Sequence, residues 1–321
     1  MPIVPARTES IARAAESLRA GGVVAFPTET VYGLGALALE PLAAARIFEI
    51  KQRPSFDPLI VHVLDRAMLA RVVGELPPLA QRLAAGFWPG PLTLVLRKTR
   101  EVPDLVTAGL PTVAVRMPSH PVPRALLAAV GAPIAAPSAN PFGGLSPTRA
   151  EHVAAGLGER VDLILDGGPS EHGLESTIVA LEPRPALLRP GAIPIEAIEA
   201  ITGPLLREAA EGTIRAPGGL PQHYSPRTPL RIADPASVPL AERGRAAALT
   251  LSDECEGYAA VRVLSRRGDL REAAAAFFEA LHALDALGLE RIDAAPLPPQ
   301  GLGLAMMDRL ARAAAVRMKE R

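Results

Sequence analysis

The stretch "FPTETVYGLGA", residues 26–36, decides how the rest of the chain is read. Val23, Val24, Ala25 and Phe26 read as a strand. The chain then turns polar, with Pro27, Thr28, Glu29, Thr30 and Tyr32 leading to Gly33 and Gly35 and no regular apolar period. The passage raises the question of what a strand delivers into a polar, glycine-bearing turn.

Working outward, proline and glycine punctuate an alternation of strand-like and helix-like segments. Thr8–Ala20 reads as a helix stopped by Gly21 and Gly22, and Pro41–Lys51 as a helix with proline in its first turn. Strands are expected at residues 59–63, 92–97, 112–117, 133–137, 161–165 and 176–181, with helices at 65–73, 79–87, 121–130 and 148–156. Thr148 and Glu151 have capping-box spacing for the last of these. Such a pattern predicts an α/β fold with a twisted mixed sheet and helices against it. The proline-rich passage "APGGLPQHYSPRTP" marks a change of character. We therefore expect a first domain over residues 1–202, a linker over 203–228 and a smaller α/β domain over 229–321. It holds a strand candidate at Leu230–Ala233, apolar runs at Ala246–Leu251 and Ala259–Leu264, a long helix expected at Leu270–Leu287, and then "RIDAAPL" and a final helix at Leu302–Met318.

Composition narrows the function classes. A chain of 321 residues, 49% hydrophobic and 21% charged, can bury a sizeable core. The start "MPIVPARTES" lacks the pattern of a secretory signal, and the longest uncharged run, Ala125–Thr148, is broken by prolines and glycines. The expectation is a soluble cytoplasmic protein without a membrane partner, in keeping with its single cysteine, Cys255. Basic and acidic residues balance at 34 each, so no global footprint for stable nucleic-acid binding exists. Only three lysines occur, Lys51, Lys98 and Lys319, and Asn140 is the sole asparagine.

Several residues could carry chemistry. Lys51 and Arg53, at a helix end before Pro54, can hold a polyphosphate as point charge and fork, or simply complement the helix dipole. His62 sits among Leu59, Ile60, Val61 and Val63, where a core histidine is the plain alternative. Arg116 near a strand end could clamp a carboxylate or phosphate, or form a surface ion pair. "APSANPFGGLSPT" brings Ser138, Asn140 and Ser146 into a loop of small residues and backbone amides suited to a nucleotide, or to an ordinary polar turn. Ser176 in "GLESTIV" and Arg189 in "LLRPG" complete a set of hydroxyls and cations at strand ends. No Walker loop, dinucleotide fingerprint, catalytic triad or clustered metal ligands accompany them. Such a set positions and neutralises anions.

Taken in order, "FPTETVYGLG", "KQRPSFDPLIVHV", "AVRMP", "APSAN" with Ser146, "ESTIV" and "LRPG" resemble the threonylcarbamoyl-AMP synthases of the YrdC-like family, over about residues 8–200. The linker and trailing unit resemble the long form, with an additional Rossmann-like C-terminal domain. The resemblance implies that L-threonine, bicarbonate and ATP give threonylcarbamoyl-AMP and pyrophosphate, the product serving threonylcarbamoyladenosine modification of tRNA through a downstream transferase. It implies threonine contacts at Thr30, His62, Arg116 and Ser176. Nucleotide contacts fall at Lys51, Arg53, Asp57, Thr112, Ser138, Asn140, Ser146, Arg189 and Tyr224, with Lys51 and Arg53 also in the catalytic role. Mg2+ is expected with ATP, and the turn after the first strand should form one wall of the cavity. Asp57 stands where the family usually has asparagine, and "GLPQ" precedes His223 and Tyr224 where basic residues are common. The stiff linker either lies across the cavity mouth as a lid or is a passive spacer whose aromatic residue merely packs. Two other readings are hydrogenase-maturation carbamoyl transfer, which requires acylphosphatase-like and zinc-finger regions not seen here, and an RNA-binding or ribosome-associated module with a basic cavity.

Overall fold

In the computed structural model, which describes residues 3–207 and 223–315, the first part of the chain alternates strands and helices. It runs β1 (Ile3–Pro5), α1 (Thr8–Arg19), β2 (Val24–Phe26), β3 (Gly33–Leu37), α2 (Pro41–Lys51), β4 (Ile60–His62), α3 (Arg66–Val72), α4 (Pro78–Phe87) and β5 (Leu92–Arg97). There follow α5 (Asp104–Thr107), β6 (Thr112–Arg116), α6 (Pro121–Val130), β7 (Ile134–Ala135), α7 (Ala150–Leu157), β8 (Leu163–Asp166), β9 (Thr177–Ala180), β10 (Ala186–Arg189), α8 (Ile195–Thr202) and β11 (Leu206–Arg207). Among the described residues the strands form one mixed sheet of eleven, in the order β1-β8-β2-β3-β7-β4-β6-β5-β9-β10-β11.

Side-chain alternation sorts the central strands into two faces. Val61, Leu94, Val113, Val115 and Val179 point into the main core, where they meet helix residues such as Leu18, Ile47 and Leu126. The opposite face carries only a small apolar patch, formed by Ile60, Val95, Ala114, Ile178 and Ala180. Beyond that patch the same face turns polar, and there the cavity forms.

The quoted stretch holds more structure than its composition suggests. "GLGAL" is itself a strand, β3, antiparallel to β2 and then to β7. A Cβ on Gly35 would stand 2.5 Å from a ring carbon of Phe26 and 2.9 Å from the Ile134 side chain, so the strand lies against them only with glycine there. The same glycine that permits the contact removes the strand signal from the sequence.

Other boundaries follow from local chemistry. α2 begins with Pro41 in its first turn and ends on Gln52, whose φ of 53° is left-handed and turns Arg53 out of the helix. The capping box expected from Thr148 and Glu151 is not formed: α7 starts at Ala150 after Arg149, without a side-chain cap. Thr148 is instead drawn aside, accepting from Ser170 N at 3.0 Å and lying 3.4 Å from His152 Nδ1.

The second unit comprises β12 (Leu230–Ile232), α9 (Leu240–Arg243), β13 (Ala246–Thr250), β14 (Ala260–Val263), α10 (Leu270–Asp285), β15 (Arg291–Ala294) and α11 (Leu302–Ala314). Its four strands are all parallel, in the order β12-β15-β13-β14. Phe277, Phe278 and Leu281 of α10 and Met306 and Leu310 of α11 fill its core. Val31, Leu145, Leu174 and Tyr224 join that same core, so the second unit is packed onto the turn after β2. Residues 208–222 of the expected linker and Met318 of the expected last helix lie outside the described residues.

Candidate active site

Parallel strands β4 and β6 place His62 and Arg116 in register as neighbours at their C-terminal ends, the usual end for ligand contacts in open α/β sheets. Arg116 is gripped from three sides. Its Nε donates to Gly90 O at 3.2 Å, its Nη1 to Thr30 Oγ1 at 2.7 Å, and its Nη2 lies 2.6 Å from Glu29 Oε1. Thr28 Oγ1 is 2.7 Å from Thr30 Oγ1, so the polar turn is folded around the guanidinium. Burial works against the charge on Glu29, but Arg116 and the amide of Ser119 outweigh it and hold the carboxyl down to about 2. Sequence reasoning missed Glu29; its signal was an acid flanked by two threonines in a turn with no apolar period.

His62 is 3% exposed, and neither ring nitrogen has a hydrogen-bond partner among the described residues. Burial first, and then the charge of Arg116, lower its pKa to about 3, so near pH 7 the ring is neutral with one donor and one acceptor. A buried, unpartnered imidazole lining a cavity is a group that a ligand would satisfy.

Across β5, Ser176 Oγ lies 2.7 Å from Thr93 Oγ1 and accepts from Arg189 Nη2 at 3.0 Å. Arg189 also donates to Ser176 O at 2.8 Å. The register of β10 against β9 shifts between Leu187 and Arg189. Strict alternation would send Arg189 with Leu187 into the main core, and the irregularity re-aims it toward the cavity that it lines. The turn "RPG" then passes so close to the start of β9 that a Cβ on Gly191 would meet Glu175 O at 2.4 Å.

Of the remaining expected residues, Arg53, Ser138 and Tyr224 line the cavity, while Lys51, Asp57, Thr112, Asn140 and Ser146 stand outside its immediate wall. Lys51 is 1% exposed and donates to Ser138 O at 2.6 Å and Asn140 O at 2.5 Å, bracing the loop from beneath. Asn140 stiffens the same loop by donating to Pro141 O and Gly144 O, at 2.8 and 2.9 Å. Asp57 Oδ2 is 2.8 Å from Arg53 Nη2, so its charge is met within its own turn. Ser146 Oγ donates to Glu175, and Thr112 opens β6 opposite Arg97, four residues before Arg116.

His223 and Tyr224 also line the cavity. Their rings lie 4.1 Å apart, and the Tyr224 ring faces Phe278 of α10 at 5.8 Å. Tyr224 has a φ of 64°, a conformation strained for a bulky residue, and its hydroxyl has no partner among the described residues. The cavity left behind them measures about 40 Å³. That is room for about one water, whereas small-molecule sites usually span several hundred cubic ångströms.

A family model for Sua5, YciO and YrdC proteins, described as "Telomere recombination", matches residues 16–191, and one described as "Threonylcarbamoyl-AMP synthase, C-terminal domain" matches residues 193–315. The chain belongs to the Sua5/YciO/YrdC family. It is 44% identical to a threonylcarbamoyl-AMP synthase of Bacillus subtilis, covering 96% of this chain and 94% of that protein. A threonylcarbamoyl-AMP synthase of Pyrococcus abyssi is 41% identical, covering 95% of this chain and 94% of that protein. The crystal structure of P. abyssi Sua5 complexed with L-threonine superimposes with a TM-score of 0.90 at 40% identity, covering 97% of this chain and 96% of that one. Escherichia coli YciO matches 59% of this chain and 92% of its own, with a TM-score of 0.53 at 30% identity. The Sua5/YciO/YrdC match over residues 16–191 thus takes in most of the large sheet.

Among the described residues no three histidine, cysteine or acidic side chains converge as a metal site. The carboxylates nearest the cavity are already paired, Glu29 with Arg116, Asp57 with Arg53 and Glu175 with Arg309. A protein cage for Mg2+ does not fit this donor set. No described helix is long and apolar enough to cross a membrane.

Proposed function

We propose that the chain is a threonylcarbamoyl-AMP synthase, joining L-threonine, bicarbonate and ATP into threonylcarbamoyl-AMP with release of pyrophosphate. The observation that carries this reading is one buried cavity with two differently built cationic ends. At one end Arg116, Thr30 and the neutral His62 offer a fork, a hydroxyl and an unpartnered ring. At the other, Arg53 and Arg189 come from separate elements, beside Ser138.

The chemistry requires such a cavity. The threonine amine attacks the carbon of bicarbonate, and loss of water leaves a carbamate. A carbamate oxygen then attacks the α-phosphorus of ATP, and pyrophosphate departs. Two like unit charges 4 Å apart repel by about 1 kcal/mol in water and about 4 kcal/mol at an effective dielectric near 20. Positive groups held in place before the substrates arrive offset that repulsion.

In this reading Arg116 takes the threonine carboxylate, with Thr30, His62 and Ser176 around the amino acid. Arg53, Ser138 and Arg189 receive the nucleotide directly, and Lys51, Asp57, Asn140 and Ser146 fix the loops that carry them. Thr112 and Tyr224 are assigned to the nucleotide side. Mg2+ enters as the counter-ion of ATP. Residues 1–202 act as the catalytic domain, 203–228 as linker and lid, and 229–321 as the second domain, in the cytoplasm where a tRNA-modifying transferase consumes the product.

Incubation with labelled bicarbonate, ATP and single amino acids tests the reading. Pyrophosphate release that requires threonine and bicarbonate together supports it. RNA binding without any ATP turnover would favour the RNA-binding module instead.

A further inference from the structure

The cavity wall contains an anion that the synthase reaction does not call for. Glu175 lies immediately before Ser176, is 5% exposed and lines the cavity in which Arg53 and Arg189 would meet phosphates. Left alone, its carboxylate would repel the nucleotide and weaken those two cations. The residue that answers it comes from the other domain. Arg309 of α11 is 0% exposed, and its Nε and Nη2 donate to Glu175 Oε2 at 3.1 and 3.0 Å. Its Nη1 donates to Pro190 O at 2.7 Å, next to Arg189. The guanidinium carbon also lies 5.1 Å from the centre of the Tyr224 ring.

We propose that Arg309 is a positioning residue for the nucleotide side of the cavity, neutralising Glu175 and seating Tyr224, so that the C-terminal domain completes the site without touching substrate. The inference rests on the ATP-dependent reading above. Adhesion between the units does not account for a buried arginine. Val31, Leu145 and Leu174 already share an apolar core with α10 and α11, and Arg149–Glu279 supplies an ion pair at the rim. A buried ion pair is a poor adhesive beside well-packed apolar residues, because both charges are stripped of water. Arg309 Nη1 also meets Asp308 of its own helix at 2.9 Å, but its Nε and Nη2 edge is turned to Glu175 in the cavity wall, and that is better explained by what this carboxylate would do to an incoming triphosphate. Burial opposes the charge on Glu175, but Arg309 first, and then Arg189 and Ser146, keep its carboxyl below the usual range.

Three full-length variants test the inference: Arg309→Met, Glu175→Gln and the two combined. ATP affinity is read by calorimetry, and the KM values for ATP and for threonine are compared with the thermal midpoint of each protein. Arg309→Met is expected to raise the KM for ATP roughly tenfold or more, through one unpaired buried anion, with the KM for threonine changed by less than about threefold. Adding Glu175→Gln is expected to recover most of the lost ATP affinity, because the uncompensated charge is then gone. If the double variant binds ATP no better than Arg309→Met, or if both substrates suffer equally, Arg309 is merely structural and the inference is overturned. Should Arg309→Met not fold, Arg309→Lys keeps the charge without the fork. Its expected signature is a severalfold loss confined to ATP, and an equal loss for threonine overturns the proposal. Failure of the native chain to bind ATP would overturn the underlying reading, whereas native binding matched by Arg309→Met overturns this inference alone.

Discussion

Glu29 Oε1 and Arg116 Nη2 lie 2.6 Å apart, with side chains only 1% and 4% exposed, so the guanidinium that we propose meets the threonine carboxylate already holds a carboxylate of the protein's own. Removing one partner of such a pair leaves a buried charge uncompensated, at a cost of about 3 kcal/mol or more. Glu29→Gln should therefore lower the thermal midpoint markedly. Saturating threonine should restore part of that loss, since its carboxylate can serve Arg116 in place of Glu29. Arg116→Lys should instead raise the KM for threonine far more than that for ATP, because an ammonium lacks the planar fork. A thermal scan of both variants with and without threonine decides the matter: absence of rescue in Glu29→Gln would remove threonine from Arg116.

His62, not Thr30 or Ser176, should carry most of the discrimination for the threonine hydroxyl. Thr30 Oγ1 is already met by Arg116 and Thr28, and Ser176 Oγ by Thr93 and Arg189. These hydroxyls have partners whether or not the substrate supplies one. His62 does not, and an unmet buried group costs about 1 to 3 kcal/mol, roughly 5- to 150-fold in rate preference. The native chain is thus expected to favour threonine over 2-aminobutyrate by at least about tenfold, and His62→Leu to bring the two near parity. Unchanged preference in His62→Leu returns the role to Thr30 and Ser176.

The same histidine should make the fold sensitive to acid. Its folded pKa of about 3 lies below its ordinary 6.5, so the unfolded chain binds the extra proton between those values and stability falls as pH falls. At pH 5 the linkage amounts to about 2 kcal/mol. Glu29 acts in the same direction at lower pH: its stabilisation is present above 4.5 and fades as pH approaches about 2. Thermal midpoints from pH 7 to pH 4 should fall less steeply in His62→Leu than in the native chain. Parallel curves would show that His62 is not the group responsible.

Much of this was legible in the sequence, and the exceptions share a physical cause. α2 and α6 occupy the expected Pro41–Lys51 and Pro121–Val130, because proline at the first turn and an apolar stripe mark both clearly. β3 was hidden because Gly33 and Gly35 suppress strand propensity for the sake of close packing. His62, Arg116, Ser176 and Arg189 carried their own signal as polar residues at strand ends. Glu29, Glu175 and Arg309 carried none, since a charged residue reads as solvated until the fold shows that its partner lies far away in sequence. Glu175 and Arg309 are separated by more than the whole second sheet.

Lys51 should behave as a brace. Two of its three N–H donors go to the carbonyls of Ser138 and Asn140, and burial, then the neighbouring Arg53, press its pKa well below the ordinary lysine value. Lys51→Met keeps much of the stem but strands both carbonyls, an expected loss of about 2 kcal/mol or more. The KM for ATP should rise with it, because Ser138 belongs to the cavity wall. Arg53→Ala should impair ATP use without that degree of unfolding cost. A Lys51→Met protein as stable as the native chain, yet inactive, would show the ammonium acting on the nucleotide directly.

The last prediction concerns the mouth. With Tyr224 and His223 in its wall the cavity is about 40 Å³, too small for ATP, and on the lid reading substrates displace the two rings. Removing everything after residue 202, which the sequence alone marks as a clean cut, would strip β11 from the sheet edge, expose Val31, Leu145 and Leu174, and leave Glu175 without Arg309. Its failure could not be assigned to a missing lid. Tyr224→Ala in the full chain is the sharper test. Threonylcarbamoyl-AMP is a mixed anhydride that water hydrolyses to AMP, and a site that closes over it keeps water out. The variant should bind ATP at least as readily as the native chain but release a larger share of AMP relative to intact product. An unchanged ratio of AMP to threonylcarbamoyl-AMP, with turnover equal to the native rate, would reduce His223 and Tyr224 to packing residues.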